Sequence, residues 1–206
     1  MAGYGLRPYS GLGGSYNTGG FTEYPILDGD AELLFTGDLM MRETNGYVTR
    51  MGETSGASPT GASAVLQTIG PAVGFRYTNA EGQPTWSQHY PGGLTEAFAM
   101  VADDPHQLFV VQSDGLGATA VQADMGENAP LDNLQVSDAN TSTGLSGIQV
   151  DISGAAATAA LAVRLISIVQ DGTNEAITGG TQTSNLIVRI NDIAHAYSQT
   201  AVVTTA

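Results

Sequence analysis

The chain contains no lysine and no cysteine. It has six arginines and 20 aspartates and glutamates, which give a formal net charge of −14. Without cysteine, disulfides, thiolate catalysis and cysteine–zinc sites are excluded. So acidic a surface repels phosphate backbones and anionic lipid, and we therefore expect neither nucleic acid nor a membrane as a partner. The missing lysine suggests a protein that works in salty water, where screening weakens self-repulsion beyond about 8 Å.

Long apolar runs are also missing, since no window approaches the ~20 apolar residues that span a bilayer. Residues 1–9 lack a charged n-region followed by an apolar h-region, so we expect no secretory signal and synthesis in a cytoplasm. Charged residues make up only 13% of the chain, against about 25% in typical domains. The 27 glycines point instead to short strands, tight turns and close backbone contacts.

The N-terminal segment, residues 1–25, is predicted to be an extended arm. Its aromatic residues are separated by glycines and show neither a helical nor a strand period. These aromatic side chains are costly to leave in water. We therefore expect the arm to lie either on its own domain or on a neighbouring molecule.

Residues 26–199 are predicted to form a single β-rich domain, followed by a β-prone tail at 200–206. Asn45-Gly46 is a hairpin signal. The clearest hairpin joins 72–78 to 85–90 and places Phe75 on one alternating face and Trp86 on another, both interpreted as core. The other predicted elements are strands at 31–35, 38–41, 46–51, 97–102, 107–113, 148–152, 159–169 and 184–191, one helix at 116–125, and loops at 52–63 and 126–147.

The pattern of short strands and frequent turns predicts an all-β fold. We expect an antiparallel β-barrel or sandwich of short strands, with an extended N-terminal arm and at most one short helix. No repeat of fixed period is present.

No constellation in the sequence predicts catalysis, a cofactor or a metal site. His89, His106 and His195 lack the spacing of metal ligands. The aspartates at 28–30 and 103–104 are interpreted as turn residues that cap backbone amides, with loose calcium binding as the alternative. No nucleophile elbow, phosphate loop or dinucleotide fingerprint appears, so we expect no enzyme. The hypothesis of a hydrolase with paired carboxylates is kept only because 20 acidic residues permit a pair to form by chance.

Four segments together resemble virion structural proteins of tailed phages, notably marine and cyanobacterial podovirus-like ones. They are residues 74–86 (GFRYTNAEGQPTW), 101–109 (VADDPHQLF), 143–147 (TGLSG) and 187–191 (IVRIN), and the opening GLRP at 5–8 is similar too. The resemblance spans roughly residues 70–195. It implies a β-rich capsid cement (decoration) protein on the outside of an HK97-type shell.

That resemblance implies the major capsid protein as partner and the outer capsid surface of the virion as location. We expect a symmetric oligomer, with a trimer favoured over a dimer. The alternative is another virion role, such as a head fibre, a tail component or a glycan-binding adhesin with Trp86 and tyrosines as a sugar platform. The residues expected to contact a partner are Tyr4, Arg7, Tyr9, Tyr16, Phe21, Arg42 and Arg50.

Overall fold

The computed structural model describes residues 3–11, 20–43, 45–51, 68–116, 118–134, 139–158, 161–169, 183–191 and 195–197. In chain order the strands are β1 (Arg7–Gly11), β2 (Thr22–Pro25), β3 (Leu34–Phe35), β4 (Leu39–Arg42), β5 (Val48–Arg50), β6 (Thr68–Thr78), β7 (Pro84–Ser87), β8 (His89–Tyr90), β9 (Thr95–Val101), β10 (Gln107–Gln112), β11 (Asn128–Ala129), β12 (Leu131–Asp132), β13 (Gln149–Val150), β14 (Val163–Ile168) and β15 (Asn185–Ile190). A 3₁₀ turn, Gln122–Asp124, is the only helical element within these ranges. None of the described residues forms a helix long and apolar enough to cross a membrane.

The first sheet has five antiparallel strands in the order β1-β10-β15-β14-β11. Strand β15 shows the alternation of one buried face, since Leu186, Val188 and Ile190 are buried and the residues between them are partly exposed. Because successive side chains point to opposite faces of a strand, every second residue builds the core and the others face outward. The first core is therefore a layer on one side of this sheet.

The second sheet has the order β2-β9-β6-β4-β5, with β7 paired to β6. Its buried residues, among them Phe75 and Tyr90, form a second core. The strand pairs β12–β13 and β3–β8 complete the described sheets. All ladders between named strands are antiparallel, and both large sheets are open rather than closed into a barrel. The all-β prediction is confirmed, and the arrangement is that of a sandwich.

The two sheets meet along β4 and the turn before it. Leu39 and Val73 belong to the second sheet but pack against the first core. The backbone amide of Leu6 donates to Gly37 O at 3.1 Å. The two backbone segments lie so close here that a Cβ on Gly5 would be 2.5 Å from that oxygen. Glycine at position 5, with φ +71°, permits this close approach.

The described parts of the N-terminal segment are strands of the β body. β1 forms an edge of the first sheet, and β2 forms an edge of the second. Leu6 and Tyr24 are buried in the two cores. Residues 3–11 and 20–25 therefore lie on their own domain, which is one of the two expected alternatives. Residues 12–19 lie outside the described part of the chain.

Three sequence predictions need correction. Residues 116–125 are not a helix: only Gln122–Asp124 form a 3₁₀ turn, and the flanking glycines at 115, 117 and 126 disfavour anything longer. The expected loop at 126–147 contains β11 and β12. Trp86 is 65% exposed and not core. The tail 200–206 and the loop 52–63 lie outside the described residues.

Candidate interaction surface

Three of the six arginines lie on the outward face of the first sheet. Arg7 is on β1, Arg164 on β14 and Arg189 on β15. Arg164 and Arg189 are directly opposite each other in the ladder, and Arg7 is opposite Val110, which is opposite Ile187. We call this surface the arginine face and define it by Arg7, Val110, Arg164, Ile166, Ile187 and Arg189.

The strands of the first sheet contain no acidic residue. Their sequences are RPYSG, QLFVVQ, NA, VRLISI and NLIVRI. In a chain with 20 acids and six arginines, this sheet therefore departs from the overall charge balance. The arginine face presents positive charge and aliphatic surface together.

Arg164 and Arg189 carry like charges at directly opposite positions of the ladder. Like charges directly opposite each other in an antiparallel ladder destabilise the pair. Arg164 is exposed, and no described acidic side chain forms an ion pair with it. Ile166 is also exposed beside it.

Tyr4 and Arg7, both expected to contact a partner, lie at the edge of this face. The Arg7 guanidinium lies 4.3 Å from the centroid of the Tyr4 ring, a cation–π contact. The Tyr4 hydroxyl donates to Asn185 Oδ1 at 2.7 Å, which holds the ring against β15. Tyr9, on the same edge strand, is 55% exposed. Sequence reasoning thus identified one end of the surface, but it missed Arg164 and Arg189.

Other expected contact residues are elsewhere. Phe21 is exposed just before β2, at the edge of the second sheet. Arg42 is exposed at the end of β4, where its Nη2 donates to the Tyr197 hydroxyl at 3.4 Å. These two residues are not on the arginine face. Tyr16 lies outside the described residues.

Arg50 is not available to a partner, because it is only 1% exposed. Its Nε lies 3.6 Å from Glu32 Oε1, and its Nη1 lies 3.6 Å from Asp38 Oδ2. Asp38 Oδ2 also accepts the backbone N–H of Phe35 at 2.8 Å, and the hydroxyl of Thr49 donates to Glu32. The prediction for Arg50 is wrong because the arginine is buried and pairs with two carboxylates inside the protein.

A second polar network surrounds Tyr24. Its hydroxyl donates to Asp103 Oδ2 at 2.8 Å and lies 2.5 Å from the hydroxyl of Tyr197. Burial, followed by the hydrogen bonds with Tyr197 and Asp103, raises the pKa of Tyr24 well above its ordinary value. The phenol therefore stays protonated and joins β2 to the C-terminal residues.

Three of the four turn aspartates have the capping role expected from the sequence, whereas Asp103 accepts the Tyr24 hydroxyl. Asp28 Oδ1 accepts the backbone N–H of Glu96 at 2.8 Å, and Asp104 Oδ1 accepts that of His106 at 2.8 Å. Asp30 Oδ1 accepts the N–H of Glu32 at 3.1 Å. In the part of the chain that the structure describes, no group of three or more histidines and acids could hold a metal ion. The buried carboxylates of Glu32 and Asp38 both face Arg50.

The geometry thus favours a surface for binding another molecule. Comparisons of this chain with known protein families, with curated proteins and with solved structures found no match.

Proposed function

We propose that the chain is a non-enzymatic viral capsid cement (decoration) protein. It binds the outer surface of an HK97-type shell through the arginine face and stabilises the joints between capsomers. The observation that carries the proposal is the placement of three of only six arginines on one acid-free sheet. Together with the resemblance described above, this placement favours a protein that docks on an acidic protein surface.

The charge distribution supports a protein partner. The net charge of −14 opposes approach to nucleic acid or to an anionic membrane, whereas a local basic face directs the chain toward an acidic patch. Arginine and tyrosine are enriched at protein interfaces, and aliphatic surface between them adds apolar contact. In this proposal the partner is the major capsid protein, and the location is the outside of the virion.

The proposal includes self-association that matches the local symmetry of the shell. A trimer at a three-fold position is favoured, and a dimer at a two-fold position is the alternative. β1 is an edge strand, so its outer backbone groups can pair with a neighbouring chain.

A binding assay with shells of the major capsid protein tests the proposal. Co-sedimentation should show that the wild-type chain binds the shells, and cryo-EM should locate it on their outer surface. The double variant Arg164→Gln/Arg189→Gln should bind much more weakly. Added salt should weaken binding because part of the attraction is electrostatic. Arg76→Gln, which removes an arginine from the other sheet, is the control and should bind normally. The proposal would be contradicted if the double variant bound as well as the wild type, or if the wild-type chain lay inside the shell.

A different virion role is the second candidate. The exposed Trp86 favours a head fibre, a tail component or a glycan-binding adhesin, since large exposed aromatic side chains mark binding surfaces. Immunogold electron microscopy of virions separates these roles, because label on the tail or on projecting fibres excludes a cement protein.

A further inference from the structure

The outward face of the second sheet carries a row of aromatic and polar side chains that the arginine face does not explain. In the ladders, Arg76 on β6 is opposite Trp86 on one side and opposite Phe98 on the other. Glu23 on the neighbouring strand β2 pairs with Arg76. We call this row the tryptophan face and define it by Glu23, Arg76, Trp86 and Phe98.

The polar groups of this face are fixed and still accessible. The Arg76 guanidinium lies 4.4 Å from the centroid of the Phe98 ring, and its Nη2 is 3.0 Å from Glu23 Oε2. The side chains of Arg76 and Glu23 retain 30% and 43% of their accessible surface. The Arg76 guanidinium and the Glu23 carboxylate therefore offer a hydrogen-bond donor and an acceptor side by side. Because the two side chains are already held in place, a ligand that contacts both loses little of their conformational entropy on binding.

Trp86 offers a flat apolar surface next to this ion pair. It is 65% exposed on β7, whose partner among the described strands is β6. Trp86 and Phe98 stand on either side of β6, so their backbones are about 10 Å apart. That distance is comparable with the length of a disaccharide.

We propose that the tryptophan face binds a neutral carbohydrate. A pyranose ring stacks its C–H face on Trp86, and its hydroxyl groups hydrogen-bond to the Arg76 guanidinium and the Glu23 carboxylate. The charges select against an anionic sugar, because Glu23 pairs with Arg76 and Glu96 accepts from Thr78, two residues further along β6, in a chain of net charge −14. The site is separate from the arginine face, and the inference rests on the second candidate function, a glycan-binding adhesin, and not on the capsid proposal.

Trp86 is the only tryptophan, so its fluorescence reports directly on this site. The full chain is titrated with neutral hexasaccharides of glucose, mannose, galactose and N-acetylglucosamine, and in parallel with polygalacturonate. We expect a saturable change of emission with at least one neutral sugar and none with polygalacturonate. No change with any neutral sugar, or a change with polygalacturonate alone, overturns the proposal.

Calorimetry with the sugar that binds then tests the residues. Trp86→Ala should weaken affinity by about tenfold or more, a loss equivalent to about 1.4 kcal/mol. Trp86→Phe should retain part of the affinity, because it keeps a ring, and Arg76→Gln should lower it. Arg164→Gln, on the arginine face, is the control and should bind like the wild type. Circular dichroism confirms that each variant is folded. Equal affinity of Trp86→Ala and the wild type would place the sugar elsewhere and overturn the site.

Discussion

At the scale of single residues, Phe75 and Trp86 show how far alternation can be trusted. Phe75 is buried as predicted, whereas Trp86 is exposed. The sequence alternation placed Trp86 and Tyr90 on one face. In the structure β7 ends at Ser87 and β8 pairs with β3 instead of β6. This break between the strands lets Tyr90 enter the core while Trp86 faces outward.

The first prediction compares these two aromatic residues. Phe75→Ala should lower the free energy of unfolding by about 3–5 kcal/mol, because it leaves a cavity in the second core. Trp86→Ala should change it by no more than about 0.5 kcal/mol. Urea denaturation followed by circular dichroism measures both. A large loss with Trp86→Ala would contradict its exposed position.

The second prediction concerns the buried Arg50. Arg50→Met should destabilise the protein by about 3–5 kcal/mol, because it removes the countercharge of two buried carboxylates. Adding Glu32→Gln and Asp38→Asn should recover part of the loss. Urea denaturation of the single and triple variants measures the recovery. A triple variant less stable than Arg50→Met would show that the carboxylates contribute independently of Arg50.

The third prediction concerns the pH dependence of stability. Burial raises the pKa of Asp114 above its ordinary value of 3.8, and the negative charges of Asp151 and Asp132 raise it further. Hydrogen bonds from the backbone N–H groups of Leu116 and Ile152 partly offset the increase in pKa. The folded state then binds this proton more tightly than the unfolded state, so the free energy of unfolding falls as pH rises through the raised pKa. Asp114→Asn should reduce that fall, measured by urea denaturation at several pH values upward from 4. Glu81→Gln, at an exposed turn, should leave the pH profile unchanged.

At the scale of elements, most strands could be predicted from the sequence, but their neighbours could not. The runs at 97–102, 107–113 and 184–191 form β9, β10 and β15, because alternating β-branched and aromatic residues favour a half-buried strand. The N-terminal segment has no such period. Its strands form through backbone pairing with β10 and β9, which no local pattern reveals.

The fourth prediction tests the attachment of the first strand. Leu6→Ala should lower the free energy of unfolding by about 2–5 kcal/mol, since Leu6 is buried in the first core. Tyr9→Ala, at an exposed position of the same segment, is the control and should have a small effect. Urea denaturation compares the two variants. Equal, small effects would indicate that β1 contributes little to the folded body.

At the scale of the whole molecule, charge is unevenly distributed. Each of the three arginines of the second sheet contacts an acid or a tyrosine: Arg50 with Glu32 and Asp38, Arg76 with Glu23, and Arg42 with Tyr197. Those of the first sheet lie on strands that contain no acidic residue. The composition revealed the scarcity of positive charge, but only the fold concentrates it.

The fifth prediction follows from the net charge of −14. The melting temperature should rise between about 10 mM and about 1 M NaCl, because the Debye length falls from about 30 Å to about 3 Å and mutual repulsion is screened. Differential scanning calorimetry measures the shift, and KCl should produce the same one. A melting temperature that does not rise would show that surface repulsion does not limit stability.

The sequence by itself determined the all-β class, the turn positions, most strands and the exclusion of cysteine chemistry. Those properties depend on composition and on alternation between neighbouring residues, which are local. The tertiary structure alone decided that Arg50 is buried, that Trp86 faces outward and that Arg164 stands beside Arg189. The physical reason is register: which residues face each other depends on pairing between strands distant in the chain, and a period of two does not encode it.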